Sequence, residues 1–302
     1  MADRKKRGRD ISGILILDKP LNISSNRAVQ IIKRLYDAKK VGHTGSLDPL
    51  ASGVLPICLG HGTKVSPYLL ASDKTYQFTM KLGEKTDTGD VEGRVVQKRE
   101  VPDISEQQIA ALLQAFTGDI QQVPPMYSAL KHKGQRLYDL ARAGQVVERP
   151  ARGVTIKSLS LVSKASDSLT LEVCCTKGTY VRTLAEDLGE KLGCGAHVTF
   201  LRRIKTGPFE LEDAVTIDQL EQLNGDFDPL DQQLKGLDMA LQDYPLVRCN
   251  REETSDLCFG RRIQLVDLAP SPLIRLYDAN GDIFGLGKCL EGNYLAPVRI
   301  FA

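Results

Sequence analysis

The sequence predicts an α+β protein with a small β-rich unit at its C-terminal end. Residues 74–82 alternate between two faces, with Tyr76 and Phe78 on the same one, as in a half-buried strand. Residues 27–36 carry apolar side chains at helical spacing. After residue 245 the chain changes to short strands and turns, and Asn280-Gly281 is a strong hairpin signal there.

The N-terminal half is expected to alternate short strands with short helices. Ser24, Ser25 or Asn26 can cap the helix over 27–36. A capping box that begins at Ser105 starts a helix that continues to about Phe116. The other elements predicted in this half are strands at 13–17, 53–59 and 74–82 and a short helix at 62–71.

The following stretch predicts two neighbouring strands, a helix and a further strand. The strands span 153–162 and 169–175, and the last one spans 197–201. Between them a helix opens near Gly178 and stops at Gly193. Residues 211–245 hold two weak helical stretches that a Gly-Asp-Phe-Asp-Pro sequence interrupts. We therefore expect a tail at 1–10, one domain over 11–245 and a small barrel over 246–302.

Composition is that of an ordinary globular protein. Of 302 residues, 42% are hydrophobic and 26% are charged. No apolar run is long enough to predict a membrane span, and the basic N-terminus lacks the apolar segment of a secretory signal. The first ten residues form either a disordered, solvated tail or an arm that attracts phosphates. The seven cysteines are odd in number and form no CxxC pair, so we expect free thiols in a reducing cytoplasm and no zinc site.

Positive charge is concentrated in one region although the formal net charge is only +2. Between residues 127 and 157 basic residues outnumber acidic ones, and Tyr127 and Tyr138 lie among them. Such a run is either a solvated face or a surface that contacts a nucleic-acid backbone, where phosphate neutralisation supplies much of the affinity.

The stretch VGHTGSLDPLASGVLPICLG, residues 41–60, holds one acid, Asp48, between glycines and a proline. Pro49 restricts Asp48 to an extended conformation, and the glycines permit backbone shapes closed to other residues. The stretch can therefore hold one carboxylate at the lip of a cleft. Alternatively, Asp48-Pro49 is an ordinary turn that ends a loop.

The sequence GHTGSLDPLASGVLP resembles the catalytic loop of the TruB family of tRNA pseudouridine synthases. The segments GILILDKPLNISSN, KTYQF, GDVEG, PPMYSALK, GTYVRT and CGAHVTFLRR extend the resemblance, which is strong from residue 11 to 204 and looser beyond. It implies a pseudouridine synthase fold, which is a mixed, largely antiparallel sheet flanked by helices. It also implies that the C-terminal barrel is a PUA-like RNA-binding domain.

The resemblance assigns catalytic roles to three residues. Asp48 would be the nucleophile that pseudouridine synthases share. Arg182 would be the active-site arginine that forms an ion pair with Asp48, although without the resemblance it is equally a surface residue off the apolar face of its helix. Tyr76 would stack on the target uracil and is the candidate proton acceptor.

The resemblance assigns substrate-binding roles to four more residues. Tyr180 would support the flipped base and Leu201 would line the uracil pocket. His43 would insert into the tRNA T-loop and fill the gap that the flipped base leaves. Lys19, in the sequence DKP, would support the site structurally or electrostatically.

The implied activity is the isomerisation of uridine 55 in the T-loop of tRNA. The reaction oxidises nothing and adds no group, so we expect no cofactor and no metal. We expect tRNA as the partner of a cytoplasmic monomer that uses no membrane, no guide RNA and no partner protein. The alternatives are a non-catalytic tRNA-binding or folding chaperone on the same scaffold, a guide-RNA-dependent relative and, remotely, an aspartate-nucleophile hydrolase. The atom that Asp48 attacks, C6 or C1′, stays open, as does an elimination route.

Overall fold

The computed structural model describes residues 8–265 and 271–301. Most strands lie in the first two thirds of the chain. These are β1 (Gly13–Lys19), β2 (Val41–His43), β3 (Ala51–Leu59), β4 (Lys74–Leu82), β5 (Glu84–Thr86), β6 (Val95–Lys98), β7 (Gly118–Gln122), β8 (Lys131–His132), β9 (Gln135–Arg136), β10 (Arg152–Lys164), β11 (Ser168–Cys175), β12 (Ala196–Thr206) and β13 (Phe209–Glu210).

Helices are interspersed among these strands and continue into the C-terminal part. They are α1 (Ser25–Leu35), α2 (Gly62–Ala71), α3 (Glu106–Ala115), α4 (Leu137–Arg142), α5 (Val181–Lys191), α6 (Ile217–Gln222), α7 (Phe227–Asp231) and α8 (Arg251–Cys258). The C-terminal strands are β14 (Leu246–Arg248), β15 (Ile263–Gln264), β16 (Ile274–Tyr277), β17 (Ile283–Leu290) and β18 (Tyr294–Ile300).

A nine-stranded sheet forms the centre of the molecule. Its main order is β1-β3-β12-β4-β11-β10-β7, with β2 paired to β3 and β13 paired to β12. Every pairing in it is antiparallel except the short parallel contact between β12 and β3. The predicted α+β class, with a mixed and largely antiparallel sheet, is confirmed.

Two apolar clusters cover the central sheet. The larger one joins strand residues such as Leu15 and Phe78 to the buried faces of α1, α3 and α5. The second uses the alternate residues of β1, such as Ile14 and Ile16, and reaches Leu273 and Leu286 of the C-terminal unit. Because β1 is buried on both faces, it contributes to both clusters.

The C-terminal strands form a separate five-stranded sheet in the order β14-β16-β17-β18-β15. Its own small core gathers Leu257 of α8 with Ile274, Leu276 and Leu295. The hairpin predicted at Asn280-Gly281 connects β16 to β17, and Gly281 has a φ of 89° there. The β-rich unit predicted at this end of the chain is therefore present.

Several predicted helix and strand boundaries are confirmed at the capping and turn residues that indicated them. The Ser24 hydroxyl accepts the Arg27 N–H at the start of α1, and the capping box at Ser105 starts α3. The strand predicted at 74–82 is β4 with the same bounds. Gly193, with a φ of 83°, directly follows the last turn of α5.

Three predictions are refined. The break expected at 225–229 is present between α6 and α7, but it ends at Asp226, because the Asp226 side chain caps α7 and Pro229 lies in the first turn of that helix, where its missing N–H costs no helical hydrogen bond. Arg182 is buried rather than on the surface of α5. In the predicted tail, residues 1–7 lie outside the described residues, but Arg9 forms an ion pair with Asp231.

No helix within residues 8–265 and 271–301 is long and apolar enough to cross a membrane.

Gly53 permits the parallel contact between β3 and β12. It pairs with Arg203 and has a φ of 103°. A Cβ atom added to Gly53 would lie 2.1 Å from the Arg203 carbonyl oxygen, which is closer than any real contact. A side chain at this position would therefore push apart the two strands that carry the catalytic loop and Leu201.

We predict that Gly53→Ala destabilises the protein far more than Gly118→Ala does. Gly118 has a similar φ of 101°, but nothing lies within 4 Å of an added Cβ, so its substitution costs only backbone strain, about 1–3 kcal/mol. Gly53→Ala adds a backbone clash, which we expect to cost at least about 3 kcal/mol more or to prevent folding. Urea unfolding of both variants measures the difference, and equal costs would contradict the close approach.

Candidate active site

A cavity of about 670 Å³ opens beside the middle of the central sheet. It brings together five of the candidate site residues predicted from the sequence. They come from the loop between β2 and β3, from β4, β12 and α5, and from the segment before α5. These residues are Asp48, Tyr76, Tyr180, Arg182 and Leu201. His43 and Lys19 are not among the residues that line it.

The loop between β2 and β3 presents Asp48 to this cavity. The buried Ser25 hydroxyl exchanges hydrogen bonds with the backbone N–H and carbonyl of Leu47, at 2.7 and 3.0 Å. On the other side, the Asn22 N–H donates to the Pro49 carbonyl at 2.8 Å. The backbone on both sides of Asp48 is thus tied to the start of α1, and its side chain is left 40% exposed.

Arg182 is the buried partner of Asp48. Its Nη2 lies 2.9 Å from the Asp48 Oδ2, so the predicted ion pair is present. The same guanidinium donates to the Thr88 carbonyl and to the Tyr127 carbonyl, at 2.8 Å each. Only 5% of the Arg182 side chain is exposed, against 40% of the Asp48 side chain, so water reaches this pair from the Asp48 side.

Asp90 is a second carboxylate on Arg182, although nothing in the local sequence marks it as a site residue. Its Oδ2 lies 3.3 Å from Nη1 of Arg182, and its side chain is 4% exposed. Thr88 Oγ1 and the Glu92 N–H donate to its other oxygen, at 2.6 and 3.1 Å. The segment GDVEG, which contributes to the family resemblance, thus supplies a buried anion that fixes Arg182.

Strand register places a row of functional side chains across the sheet. Lys19 pairs with Gly53, Gly53 with Arg203, and Arg203 with Tyr76. Residues opposite one another on neighbouring strands point to the same face of a sheet, so this row faces the cavity side together. Gly53 contributes no side chain to this row.

Lys19 lies at one end of this row and is fully buried. Its ammonium donates to the carbonyls of Pro20 and Ile23, at 2.8 Å each. Burial lowers its pKa to about 8, although the negative charge of Asp48 opposes that change. Lys19 therefore holds the bend between β1 and α1, next to the catalytic loop.

Tyr76 and Leu201 form the apolar floor of the cavity. Tyr76 lies on β4, where burial raises the pKa of its hydroxyl, while the positive charge of Arg203 opposes the increase. Leu201 is 5% exposed and pairs with both Ala51 and Phe78. The two side chains give a flat ring and an aliphatic surface below Asp48.

Tyr180 closes the cavity from the segment before α5. The Gln122 side chain, which is buried, accepts the Tyr180 N–H at 3.0 Å and donates to its carbonyl at 3.3 Å. Burial raises the pKa of the Tyr180 hydroxyl. Tyr76 and Tyr180 thus place two aromatic rings on the cavity wall.

His43 lies on β2, paired with Ile57, and precedes the turn into the catalytic loop. Its Nδ1 is buried and has no hydrogen-bond partner in the described part of the chain. Burial, with the Arg203 charge, lowers the pKa of its imidazole. A neutral ring that is only partly exposed is therefore held near the cavity, without lining it.

The mouth of the cavity is basic. Arg152 and Lys177 line it, and Arg152 is exposed at the start of β10. The basic region predicted at 127–157 leads into β10 and contains the hairpin β8–β9 and the helix α4. A small core of Met126, Leu137 and Leu140 supports this insertion. The described residues hold no group of three or more His, Cys, Asp or Glu placed to bind a metal ion.

Models of one protein family match nearly the whole chain. Residues 33–181 match the TruB family pseudouridylate synthase N-terminal domain. Residues 182–242 match the tRNA pseudouridylate synthase B C-terminal domain, and residues 245–301 match the C-terminal domain of pseudouridine synthase II TruB. The chain belongs to the TruB family.

Curated TruB-family relatives are similar over nearly their full length. The tRNA pseudouridine synthase B of Stutzerimonas stutzeri (strain A1501) is 47% identical over 302 residues, which is 99% of each chain. That of Burkholderia mallei (strain NCTC 10247) is 50% identical over 298 residues, which is 97% of each chain. The family resemblance found in the sequence is confirmed.

A solved structure supports the fold. It is described as the structure of an H/ACA RNP bound to a substrate RNA containing 2′-deoxyuridine, and one of its chains superposes with a TM-score of 0.73. The match covers 96% of this chain and 85% of that one at 23% identity. At this identity the similarity establishes the architecture of the TruB-family chain and nothing further.

We predict that Lys19 makes the stability of the protein rise with pH above 8. Its pKa is about 8 when folded and 10.5 when unfolded, so between these values the unfolded chain binds a proton that the folded protein has released. The free energy of unfolding, relative to that of Lys19→Met, should therefore increase by roughly 2–3 kcal/mol from pH 8 to pH 10. Chemical denaturation of both proteins in reductant measures it. A difference that does not change with pH would show that Lys19 keeps its charge when buried.

Proposed function

We propose that this protein isomerises uridine 55 in the T-loop of tRNA to pseudouridine, with Asp48 as the nucleophile. The observation that carries the proposal is the Asp48–Arg182 pair at the cavity. One member is accessible to a substrate and the other is buried and fixed by a second carboxylate and two backbone carbonyls. A structural ion pair has no need of an exposed carboxylate held at a cavity.

Isomerisation breaks the bond between N1 of uracil and C1′ of ribose and forms a bond from C5 to C1′. It needs a nucleophile that can form and release a covalent adduct, and a carboxylate does so only in its charged form. The Arg182 guanidinium 2.9 Å away stabilises that charge. Asp90 and the two carbonyls already orient Arg182. The conformational entropy of its side chain is therefore lost on folding and not when the substrate binds.

The cavity walls suit a base that has left its stack. A uracil inserted beside Asp48 would lie against Tyr76 and Leu201, with Tyr180 on the opposite wall. Flat aromatic surfaces replace the stacking that a base loses when it is flipped out of a folded loop. We propose Tyr76 as the acceptor of the C5 proton, since it is the ionisable group of this floor.

The surroundings of the cavity suit the rest of a tRNA. Arg152 and Lys177 lie at its mouth, where phosphates that flank a flipped nucleotide would pass. We propose that the basic insertion around α4 contacts the tRNA backbone, that His43 fills the gap in the T-loop, and that Lys19 supports the catalytic loop. In this proposal residues 11–245 form the catalytic domain and residues 246–302 an RNA-binding domain of a cytoplasmic monomer.

Asp48→Asn should abolish pseudouridine formation and retain tRNA binding. On an unmodified tRNA transcript, without added metal or cofactor, we expect the single-turnover rate to fall by more than about 1,000-fold because the amide cannot act as the nucleophile. The matched control is Asp87→Asn, which removes an exposed carboxylate from a neighbouring loop and should keep the wild-type rate. Mapping the pseudouridine in the product tests whether uridine 55 is the target. A transcript that carries cytidine at position 55 is the substrate control and should yield no pseudouridine.

Each outcome of this assay favours one function. Turnover in the wild type, none in Asp48→Asn and binding in both would support the proposal. Binding without turnover in either protein would favour a tRNA-folding chaperone or an enzyme that depends on a partner. Product at a position other than 55 would contradict the proposed target and leave the chemistry intact.

A further inference from the structure

Arg203 is a buried arginine beside the cavity to which the mechanism above gives no role. It is 1% exposed, and it stands between Gly53 and Tyr76 in the row across the sheet. The long Arg203 side chain extends beneath the catalytic loop and reaches the Gly45 carbonyl. Its neighbour Arg202 points to the opposite face and forms an ion pair with Asp18.

The contacts of Arg203 fix two parts of the site. Its Nε donates to the Val54 carbonyl at 2.7 Å, and Nη2 makes a longer contact of 3.4 Å with the Gly45 carbonyl. Its guanidinium carbon lies 6.0 Å from the centre of the Tyr76 ring. One side chain therefore connects the turn that precedes Asp48 with the ring beside which the uracil would lie.

Arg203 carries a charge that no carboxylate neutralises at close range. Among residues 8–265 and 271–301, no carboxylate oxygen lies within 4.0 Å of its guanidinium. Lys19 and Lys74 are also buried nearby, and the Arg203 charge contributes to lowering the pKa of each to about 8. A buried, unpaired cation is costly, and apolar residues of similar volume are often more stable in such places. Packing alone gives no reason for an arginine here.

The position of the Tyr76 ring beside Arg203 indicates a function for the Arg203 charge. Burial raises the pKa of the Tyr76 hydroxyl, which makes the phenolate rarer at neutral pH, and the Arg203 charge opposes that increase. A cation close to a phenol stabilises the phenolate, and a phenolate is the form that can accept a proton.

We propose that Arg203 is a positioning residue that holds the Tyr76 ring against the catalytic loop and, through its charge, makes the Tyr76 oxygen a competent proton acceptor. The proposal rests on the pseudouridine synthase function proposed above. The Tyr76 phenolate takes the proton from C5 of the rotated uracil and becomes a phenol. The C5–H bond breaks and its electron pair forms the C5=C6 double bond of the product. The π pair of the C6=N1 bond in the rotated intermediate moves to N1, which takes up a proton from water. Tyr76 then returns its proton to water.

Other charged and titratable groups face Tyr76 and must be considered in any titration. Asp48 on the catalytic loop opposes formation of the phenolate, and Cys175 on β11 would oppose it only as a thiolate. Arg203 on β12 is the group that favours it. Burial raises the pKa of the Cys175 thiol to about 12, so this thiol stays neutral over the range of the experiment below.

The test measures Tyr76 directly, without relying on turnover. Tyr76 is replaced by 3,5-difluorotyrosine, and its ionisation is followed by ¹⁹F NMR in the full-length protein with Arg203 or with Arg203→Met. We expect the titration of this fluorinated phenol to move to higher pH in Arg203→Met. Arg202→Met, which removes an arginine from the opposite face of the same strand, should leave it unchanged. An unchanged titration in folded Arg203→Met would overturn the proposal even if the wild type forms pseudouridine.

The pH dependence of turnover provides the second measurement. In Arg203→Met the rising limb of the single-turnover rate should move to higher pH, with a rate at pH 7 roughly 10- to 100-fold below the wild type. Arg203→Lys keeps a positive charge at neutral pH but cannot make both carbonyl contacts, so its rate at pH 7 should lie between those of Arg203→Met and the wild type. A rate at pH 7 more than about 100-fold below the wild type in folded Arg203→Lys would contradict the electrostatic role, even if Arg203→Met fails to fold.

Discussion

The contacts of the buried Arg182 guanidinium are the interactions on which the geometry of the candidate active site depends. Four groups from three segments of the chain converge on it: the Asp48 and Asp90 carboxylates and the Thr88 and Tyr127 carbonyls. Arginine suits this place because its planar fork can hold several acceptors at once and it stays charged when buried. Its removal would leave the Asp90 carboxylate, 4% exposed, without its countercharge.

The central sheet supplies the floor beneath this interaction. The parallel contact of β12 with β3 sets the register that aligns Lys19, Arg203 and Tyr76 in one row, and Gly53 permits the close approach. The loop that follows β2 then carries Asp48 over this floor, tied through Leu47 to the Ser25 hydroxyl. Strand pairing thus places the positive charges of Lys19 and Arg203 beneath the loop and the negative charge of Asp48 at its tip, before any substrate binds.

Local signals in the sequence predicted most elements, because caps, alternation and turn residues act over a few positions. Ser24, Ser105 and Asn280-Gly281 are examples. The family resemblance predicted the residues that meet at the cavity. Asp90 and Arg203 could not be predicted as site residues, because their importance comes from tertiary contacts. The sequence of a polar loop does not indicate that one of its acids is buried against Arg182. Arg203 gains its role from pairing with Tyr76, which lies on a strand more than 100 positions away in the chain. The α5 periodicity likewise placed Arg182 off the buried face, since another segment covers it.

The most direct test of this account is the single-turnover rate of Arg182→Lys on unmodified tRNA, measured together with its tRNA affinity. Lysine keeps the charge but cannot bind both carboxylates and both carbonyls. We expect a rate at least about 100-fold below the wild type, with tRNA affinity nearly unchanged. Arg202→Lys, on the far face of β12, should behave as the wild type does. A rate for Arg182→Lys within about threefold of the wild type would contradict the claim that the guanidinium fork organises the site.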